Sequence, residues 1–154
     1  MTEPIKIRPA RREDVPAMVT LLADDPIGSG REEPGDPLPA AYWQAFAEIA
    51  AQPGNMLLVA EVGSAVVGCL QLTVIPGLSR RGTKRAQIEG VRIASSHRGA
   101  GIGERLLRHA IELARQSGCG LIQLTSDNSR ADARRFYERL GLVASHVGMK
   151  LSLD

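Results

Sequence analysis

Few aromatic residues and few cysteines set the first limits on this chain. Its 154 residues include one Trp, two Tyr and two Phe, and the formal net charge is only +2. A dedicated nucleic-acid binder needs a strong basic excess and aromatic stacking surfaces, so that class is excluded. Two cysteines without CxxC spacing, Cys69 and Cys119, argue for reduced thiols rather than a disulfide or a redox pair. Three scattered histidines predict no metal site.

Long hydrophobic runs are also missing. No apolar stretch approaches the roughly 20 residues of a membrane span, and the N-terminal sequence MTEPIKIRPARRED lacks an apolar signal core. We therefore expect a cytoplasmic protein that does not contact membranes. Hydrophobic residues make up 44% of the chain, and a chain of this length buries enough surface to fold as a single domain over residues 1–154.

The apolar periodicity predicts a mixed α/β (α+β) fold. We expect a largely antiparallel sheet of six to seven strands, flanked by about four helices. Strands 86–94 and 121–127 enclose a helix, so they should pair in parallel as a crossover unit. The remaining elements are a first strand near 5–7, helices at 15–22, 40–52 and 128–140, a hairpin over 56–75, and one or two final strands within 142–153.

Two segments carry no regular pattern. Residues 24–39 hold four prolines and three glycines, which predicts a mobile loop that closes over a substrate as a lid. The following helix places Tyr42, Trp43 and Phe46 next to that loop, either for core packing or for substrate contact. Ahead of the central strand, a basic cluster is either a solvated loop or an attractor for an anionic ligand; it comprises Arg80, Arg81, Lys84 and Arg85.

The stretch 86–117 organises the chain. A nearly alternating strand, with Gly90 allowing a bulge, leads into small residues and then into a helix from Ile102. Glycines let backbone N–H groups approach a ligand where a helix start leaves its donors unpaired, so this turn is suited to an anion. The alternative is that the glycines only make a tight connection. Glu104 stands where a dinucleotide fingerprint needs glycine, and no Gly-Lys-Ser/Thr follows, so neither that motif nor a P-loop is present.

Arg98, Gly101 and Gly103 match the pattern Gln/Arg-x-x-Gly-x-Gly/Ala, which resembles the acetyl-coenzyme A motif of the GNAT superfamily of N-acetyltransferases. The resemblance covers nearly the whole chain and implies acetyl-CoA as cosubstrate. It implies that Val91, Arg92 and Ile93 pair with the pantetheine arm, and that Asn128 and Ala133 face the cofactor from the other side. By the same resemblance the pyrophosphate is cradled by Arg98, Gly99, Ala100, Gly101, Ile102, Gly103 and Glu104.

FYERLGL at residues 136–142 resembles a second motif of the same family, whose tyrosine lies near the thioester sulfur. When an amine displaces coenzyme A, a thiolate leaves, and a phenol with a pKa of about 10 can protonate it. Tyr137 is therefore the predicted general acid. The alternative is that Tyr137 only packs in the core.

Glu89 is the predicted base, acting through a water molecule in preference to direct contact. An alkyl ammonium must lose a proton before it attacks, and IEGVRI resembles the sequence of small-molecule members of the family with an acidic residue there. The alternative, a salt-bridged strand carboxylate, carries equal weight. The oxyanion would be stabilised by a backbone N–H near Val91 or Arg92.

The predicted activity is acetyl transfer from acetyl-CoA to a primary amine of a small molecule, by direct attack in a ternary complex. Arg130 stands where many family members have asparagine, with Asn128 as the candidate replacement, and SRADARRFY resembles the aminoalkylphosphonate acetyltransferases. The alternatives are a non-catalytic acetyl-CoA sensing module and an acetyltransferase of protein lysines or N-termini. The sequence does not identify the amine, and a homodimer stays open.

Overall fold

The computed structural model describes residues 3–154. In chain order the strands and helices are β1 (Ile5–Pro9), α1 (Val15–Ala23), α2 (Ala40–Ala51), β2 (Asn55–Val62), β3 (Ala65–Ile75), α3 (Ser79–Gly82), β4 (Lys84–Ile93), α4 (Ile102–Gln116), β5 (Cys119–Gln123) and α5 (Ala131–Arg139). The predicted mixed α/β architecture is confirmed. One helix more than expected is present because four residues before β4 form the short turn α3.

The strands form one sheet in the order β1-β2-β3-β4-β5. Neighbours are antiparallel except β4 and β5, which are parallel. The predicted hairpin and the predicted parallel pair are thus confirmed. Among the described residues the sheet has five strands, so the expectation of six to seven is wrong.

The two sheet faces bury different sets of side chains. Because successive strand residues point to opposite faces, Val59 and Cys69 lie on the face that packs against Met18 and Leu21 of α1. The opposite face carries the alternate residues and is covered by α4, which contacts β3, β4 and β5. Its fully buried side chains include Leu58, Leu70, Leu72 and Ile88, and α4 buries Leu106 and Leu107.

The loop between α1 and α2 is held at several points. Leu38 packs with Val15 and Val19, and the Tyr42 hydroxyl accepts a hydrogen bond from the Glu33 backbone and donates one to Glu32. Burial raises the pKa of Tyr42, which keeps this hydroxyl protonated and able to donate. These contacts anchor the segment that the sequence predicts as a lid, while its closure over a substrate stays a prediction.

The chain divides into two compact units, residues 1–123 and residues 124–154. The sheet, with helices α1 to α4, lies in the first unit. The second unit contains α5 and the C-terminal segment. Among residues 3–154, no helix combines the length and the apolar character that crossing a membrane requires.

In the second unit, two predicted boundaries are wrong. The helix predicted from Asn128 begins at Ala131, because the Asp127 carboxylate accepts hydrogen bonds from the backbone and hydroxyl of Ser129 and holds a turn instead. The strand predicted to reach Asp127 ends at Gln123. The final strands predicted within 142–153 are absent from the described chain: a strand requires a ladder partner, and no strand pairs with these residues.

Candidate active site

A β-bulge interrupts β4 at the predicted position. Cys69 of β3 lies opposite Arg92, and Gln71 lies opposite Glu89, so the single residue between them on β3 faces two residues on β4. Gly90 adopts φ +62°, a left-handed conformation in which glycine is unstrained. The expectation that Gly90 allows a bulge is confirmed.

Strand β4 continues beyond the end of its parallel neighbour, β5. The ladder between β4 and β5 runs from Lys84 to Gln87, where Gln87 lies opposite Gln123, and β5 ends there. Strand β4 continues to Ile93, so the segment that includes Val91, Arg92 and Ile93 lies beyond the recorded ladder with β5. A strand edge of this kind can pair with an extended ligand through backbone hydrogen bonds.

The turn between β4 and α4 has the geometry of an open backbone loop. Gly99 and Gly101 have φ values of +82° and +81°, and a Cβ built on either would meet no atom within 4 Å. The helix then begins at Ile102, which is buried, while Gly103 lies in its first turn. The predicted order of strand, glycine turn and helix is confirmed. The open space at the helix start fits an anionic group.

Arg98 lies in the same turn and contacts two backbone carbonyls. Its guanidinium donates to the Ile93 oxygen at 3.2 Å and to the Asp24 oxygen at 3.3 Å. It therefore connects the end of β4 with the start of the loop that follows α1. Ala100 is exposed beside it, and Glu104 is also exposed, where it pairs with Arg108 one helical turn later.

Glu89 is exposed on β4, next to the bulge. Its Oε1 accepts a hydrogen bond from Gln87 Nε2 at 3.0 Å. Within residues 3–154 it forms no ion pair, so the alternative of a salt-bridged strand carboxylate does not describe it. This leaves the carboxylate available to a ligand, although its role as base stays a prediction.

Arg92, predicted only for its backbone, also has a side-chain role. Its Nε lies 3.0 Å from Oδ2 of Asp25, and the two side chains are 13% and 11% exposed. Cys69 lies opposite Arg92 on the neighbouring strand, where burial raises the pKa of its thiol to about 12. The thiol therefore stays protonated. Nothing in the sequence marks Asp25 beyond its position in a loop rich in prolines and glycines.

Gln87 and Gln123 are a second pair of residues that no sequence motif marks. Gln123 Nε2 donates to Gln87 Oε1 at 2.8 Å, and Gln87 in turn contacts Glu89. In the sequence, Gln87 is only one of the polar residues of an alternating strand. The two glutamines lie opposite each other at the end of the ladder between β4 and β5, a signal that becomes usable only once the strand register is known.

The basic cluster expected ahead of the central strand separates into two parts, because β4 begins at Lys84. Arg80 and Arg81 are exposed and adopt φ values of +53° and +61° within α3. Arg85 instead lies within β4, and its side chain donates hydrogen bonds to Ser79 and Gln123. Lys84 donates to the Ser117 backbone.

The predicted site residues fall into both units of the chain. Residues 89 to 104 lie in the first unit. In the second, Asn128 is exposed in the turn before α5, Ala133 is half-buried within α5, and Arg130 directly precedes it. Tyr137 is half-buried on α5 and stacks on Phe136, with ring centroids 5.3 Å apart. Their proposed roles toward a cofactor stay predictions.

Comparison with known proteins adds independent information. Residues 15–142 match the model of the acetyltransferase (GNAT) family. A glucosamine 6-phosphate N-acetyltransferase from Trypanosoma brucei brucei is 35% identical over 88 residues, which cover 57% of this chain and 58% of that enzyme. The chain therefore matches less than two thirds of the length of that relative.

Two further relatives and one solved structure extend the comparison. An aminoalkylphosphonate N-acetyltransferase from Salmonella typhimurium is 42% identical over 60 residues, 39% of each chain. The N-alpha-acetyltransferase RimI from Mycobacterium tuberculosis is 30% identical over 97% of this chain and 84% of its own. A crystal structure of a transcriptional regulator from Bacillus halodurans C-125 is 49% identical, with a TM-score of 0.95, over 97% of this chain and 100% of that one.

Proposed function

The chain belongs to the acetyltransferase (GNAT) family of enzymes, and we propose that it transfers the acetyl group of acetyl-CoA to a primary amine of a small molecule. The observation that carries this proposal is the geometry of β4. Its bulge at Gly90 and its extension past β5 lead directly into the open glycine turn at the start of α4. Such an arrangement offers an extended ligand a strand edge and a phosphate a helix start.

We propose that acetyl-CoA lies along this path. Its pyrophosphate would be held by the turn from Arg98 to Glu104, where the backbone N–H groups of the helix start and one guanidinium provide donors. The pantetheine arm would pair with Val91, Arg92 and Ile93. Asn128 and Ala133 are proposed cofactor contacts from the second unit.

The reaction would proceed by direct attack in a ternary complex. Glu89 would accept a proton from the ammonium form of the substrate, because only the neutral amine has a lone pair to attack with. A carbon–nitrogen bond forms at the thioester carbonyl while a backbone N–H near Val91 or Arg92 stabilises the oxyanion. The carbon–sulfur bond then breaks, and Tyr137 would protonate the departing thiolate. The second proton lost by the amine nitrogen would restore the phenol.

Small amines are favoured as acceptors by two of the relatives, whose names specify glucosamine 6-phosphate and aminoalkylphosphonates. Both compounds combine an amine with an anionic phosphorus group. RimI, by name an acetyltransferase of α-amino groups, supports the second candidate, transfer to a protein N-terminus. A sensing module that binds acetyl-CoA without turnover is the third, and it would require neither Glu89 nor Tyr137.

The test is an acceptor survey with the full chain. Purified protein is incubated with acetyl-CoA and, separately, glucosamine 6-phosphate, 2-aminoethylphosphonate, further amino sugars and short peptides with a free N-terminus. Thiol release measures turnover, with the half-buried Cys119 recorded as a constant background, and mass spectrometry identifies the acetylated product. Turnover with peptides alone would select the second candidate, and cofactor binding without any acetylated product would select the sensing module.

A further inference from the structure

Four polar side chains form a continuous hydrogen-bonded row on one face of the sheet. Arg85 Nη1 donates to Gln123 Oε1 at 3.4 Å, and Gln123 Nε2 donates to Gln87 Oε1 at 2.8 Å. Gln87 Nε2 then donates to Glu89 Oε1 at 3.0 Å. The row therefore ends on the carboxylate proposed as the base.

The strand register explains why these residues meet. Arg85, Gln87 and Glu89 are two apart on β4, so they lie on the same face. Gln123 lies opposite Gln87 in the parallel pairing of β4 with β5. Three members, Arg85, Gln87 and Gln123, are half-buried, whereas Glu89 is exposed.

The chemistry of the two ends orients every amide between them. A guanidinium can only donate hydrogen bonds, so Arg85 turns the oxygen of Gln123 toward itself and the amide nitrogen toward Gln87. Gln87 must then accept through its oxygen, which points its own nitrogen at Glu89. A carboxylate oxygen accepts a hydrogen bond, so Glu89 completes the row as its final acceptor. Neither amide can be reversed without opposing two like groups.

We propose that Gln87 and Gln123 are positioning residues that hold the Glu89 carboxylate in the orientation needed to take the proton of the amine. This inference rests on the proposed role of Glu89 as base. The bond from Gln87 engages Oε1, and within residues 3–154 no group bonds Oε2, so Oε2 is the oxygen presented to the substrate.

A second row on the same face supplies a matched control. Gln71 lies directly opposite Glu89, yet its amide donates to Asn55 Oδ1 at 3.0 Å rather than to Glu89. Thr73, opposite Gln87, donates to the same oxygen at 3.1 Å. Gln71 therefore shares the residue type, the face and the half-buried environment of Gln87 but lies outside the row that reaches Glu89.

The experiment compares Gln87→Met, Gln123→Met and Gln71→Met with the wild type, using acetyl-CoA and the amine that the acceptor survey identifies. Methionine preserves the length of the glutamine side chain and removes the hydrogen bonds of its amide. For Gln87→Met we expect kcat to fall about tenfold, since a misplaced base loses much of its effect, with the KM for acetyl-CoA unchanged. For Gln123→Met, which leaves Gln87 in place, we expect a smaller fall, and for Gln71→Met less than about a twofold change.

The pH profile separates positioning from a merely structural effect. A donor to a carboxylate favours its ionised form, so its loss in Gln87→Met moves the acid limb of the kcat/KM profile to higher pH. Charged groups on this face include Arg85 and Arg92 of β4 and Asp25 of the loop between α1 and α2, and none of them is changed by the three substitutions. Gln71→Met should leave the acid limb where it is in the wild type.

Glu89→Gln distinguishes the two ways in which this inference can fail. If Glu89→Gln retains turnover, Glu89 is not the base and the positioning role of Gln87 and Gln123 is overturned with it. The proposal of acetyl transfer would be unaffected. In a second case, Glu89→Gln loses turnover but Gln87→Met and Gln123→Met behave like Gln71→Met. This result would overturn only the positioning role. A wild type that acetylates no amine would overturn both. If Gln87→Met does not fold, Gln123→Met and its pH profile decide the question.

Discussion

The Nε of Arg92 lies 3.0 Å from the Oδ2 of Asp25. This contact joins the end of β4, next to the bulge, to the first residues of the loop between α1 and α2. The other carboxylate oxygen of Asp25 accepts a hydrogen bond from the Gly28 backbone at 2.5 Å. One side chain therefore shapes the loop and attaches it to the strand proposed to hold acetyl-CoA.

Asp25→Asn should weaken acceptor binding. Asparagine can still accept from Gly28 but loses the charge that pairs with Arg92, so the loop start is held less firmly. We expect the KM for the amine to rise roughly tenfold, equivalent to about 1.4 kcal/mol, with the KM for acetyl-CoA changed much less. Steady-state kinetics with each substrate varied in turn measures both values. A rise confined to the KM for acetyl-CoA would contradict the assignment of this loop to the acceptor side.

Gly103→Val should weaken cofactor binding without unfolding the protein. Gly103 lies in the first turn of α4, where a side chain leans toward the helix N-terminus and into the glycine turn. Valine also has a helix propensity about 0.5 kcal/mol better than glycine, so stability should hold. Gly101 is less suitable for this test because its φ of +81° would strain any β-branched residue.

Calorimetric titration with coenzyme A measures the effect, and we expect a loss of affinity of at least about tenfold. His109→Val, an exposed change on the same helix, is the control and should bind like the wild type. Equal affinity in Gly103→Val and His109→Val would refute the proposed pyrophosphate site.

Tyr137→Phe should lower turnover while preserving the fold. The ring keeps its stacking on Phe136, so the free energy of unfolding should change by no more than about 1 kcal/mol. If the phenol protonates the thiolate, kcat should fall by roughly 10²- to 10³-fold at saturating amine. Single-turnover kinetics excludes the case in which product release limits the wild type.

Tyr42→Phe makes the same chemical change at the other tyrosine of the chain. The Tyr42 hydroxyl bonds Glu32 and Glu33 in the loop between α1 and α2. Removing this hydroxyl should change the KM for the amine and leave kcat unchanged. Full turnover in Tyr137→Phe would eliminate the proposed acid from the mechanism.

Asp14→Asn should destabilise the first unit. Arg8 donates to both oxygens of Asp14, at 2.7 and 3.0 Å, and these side chains are 12% and 9% exposed. Breaking an ion pair this well buried costs about 3 kcal/mol, which urea unfolding can measure. Glu104→Gln breaks an exposed pair with Arg108 and should cost no more than about 0.5 kcal/mol.

The contribution of Asp14 to the free energy of unfolding should also depend on pH. The hydrogen bond from Arg8 lowers the pKa of Asp14 below its ordinary value of 3.8. A carboxyl with a lowered folded-state pKa contributes its full stability above the unfolded value and loses it as pH falls through the folded one. The difference in stability between the wild type and Asp14→Asn should therefore be constant from about pH 7 to 5 and shrink below about pH 4. An unchanged difference at pH 3 would show that the charge of Asp14 is not what stabilises the fold.

The sequence alone predicted the elements whose signal is local. The alternation in β4, the helical spacing after Ile102 and the glycines between them each depend on neighbouring residues, so the strand, turn and helix follow from the pattern. The family also follows from short motifs of this kind. The C-terminal prediction failed because alternation within 142–153 describes a segment able to form a strand, whereas a strand exists only with a partner.

Only the tertiary structure decided which distant residues meet. The parallel register places Gln123 beside Gln87, 36 residues earlier, and so orients an amide toward Glu89. The fold likewise brings Asp25 to Arg92, although nothing in the loop sequence marks that aspartate. Side-chain partners of this kind depend on strand register and helix packing, which are set by the burial of the whole core rather than by any local pattern.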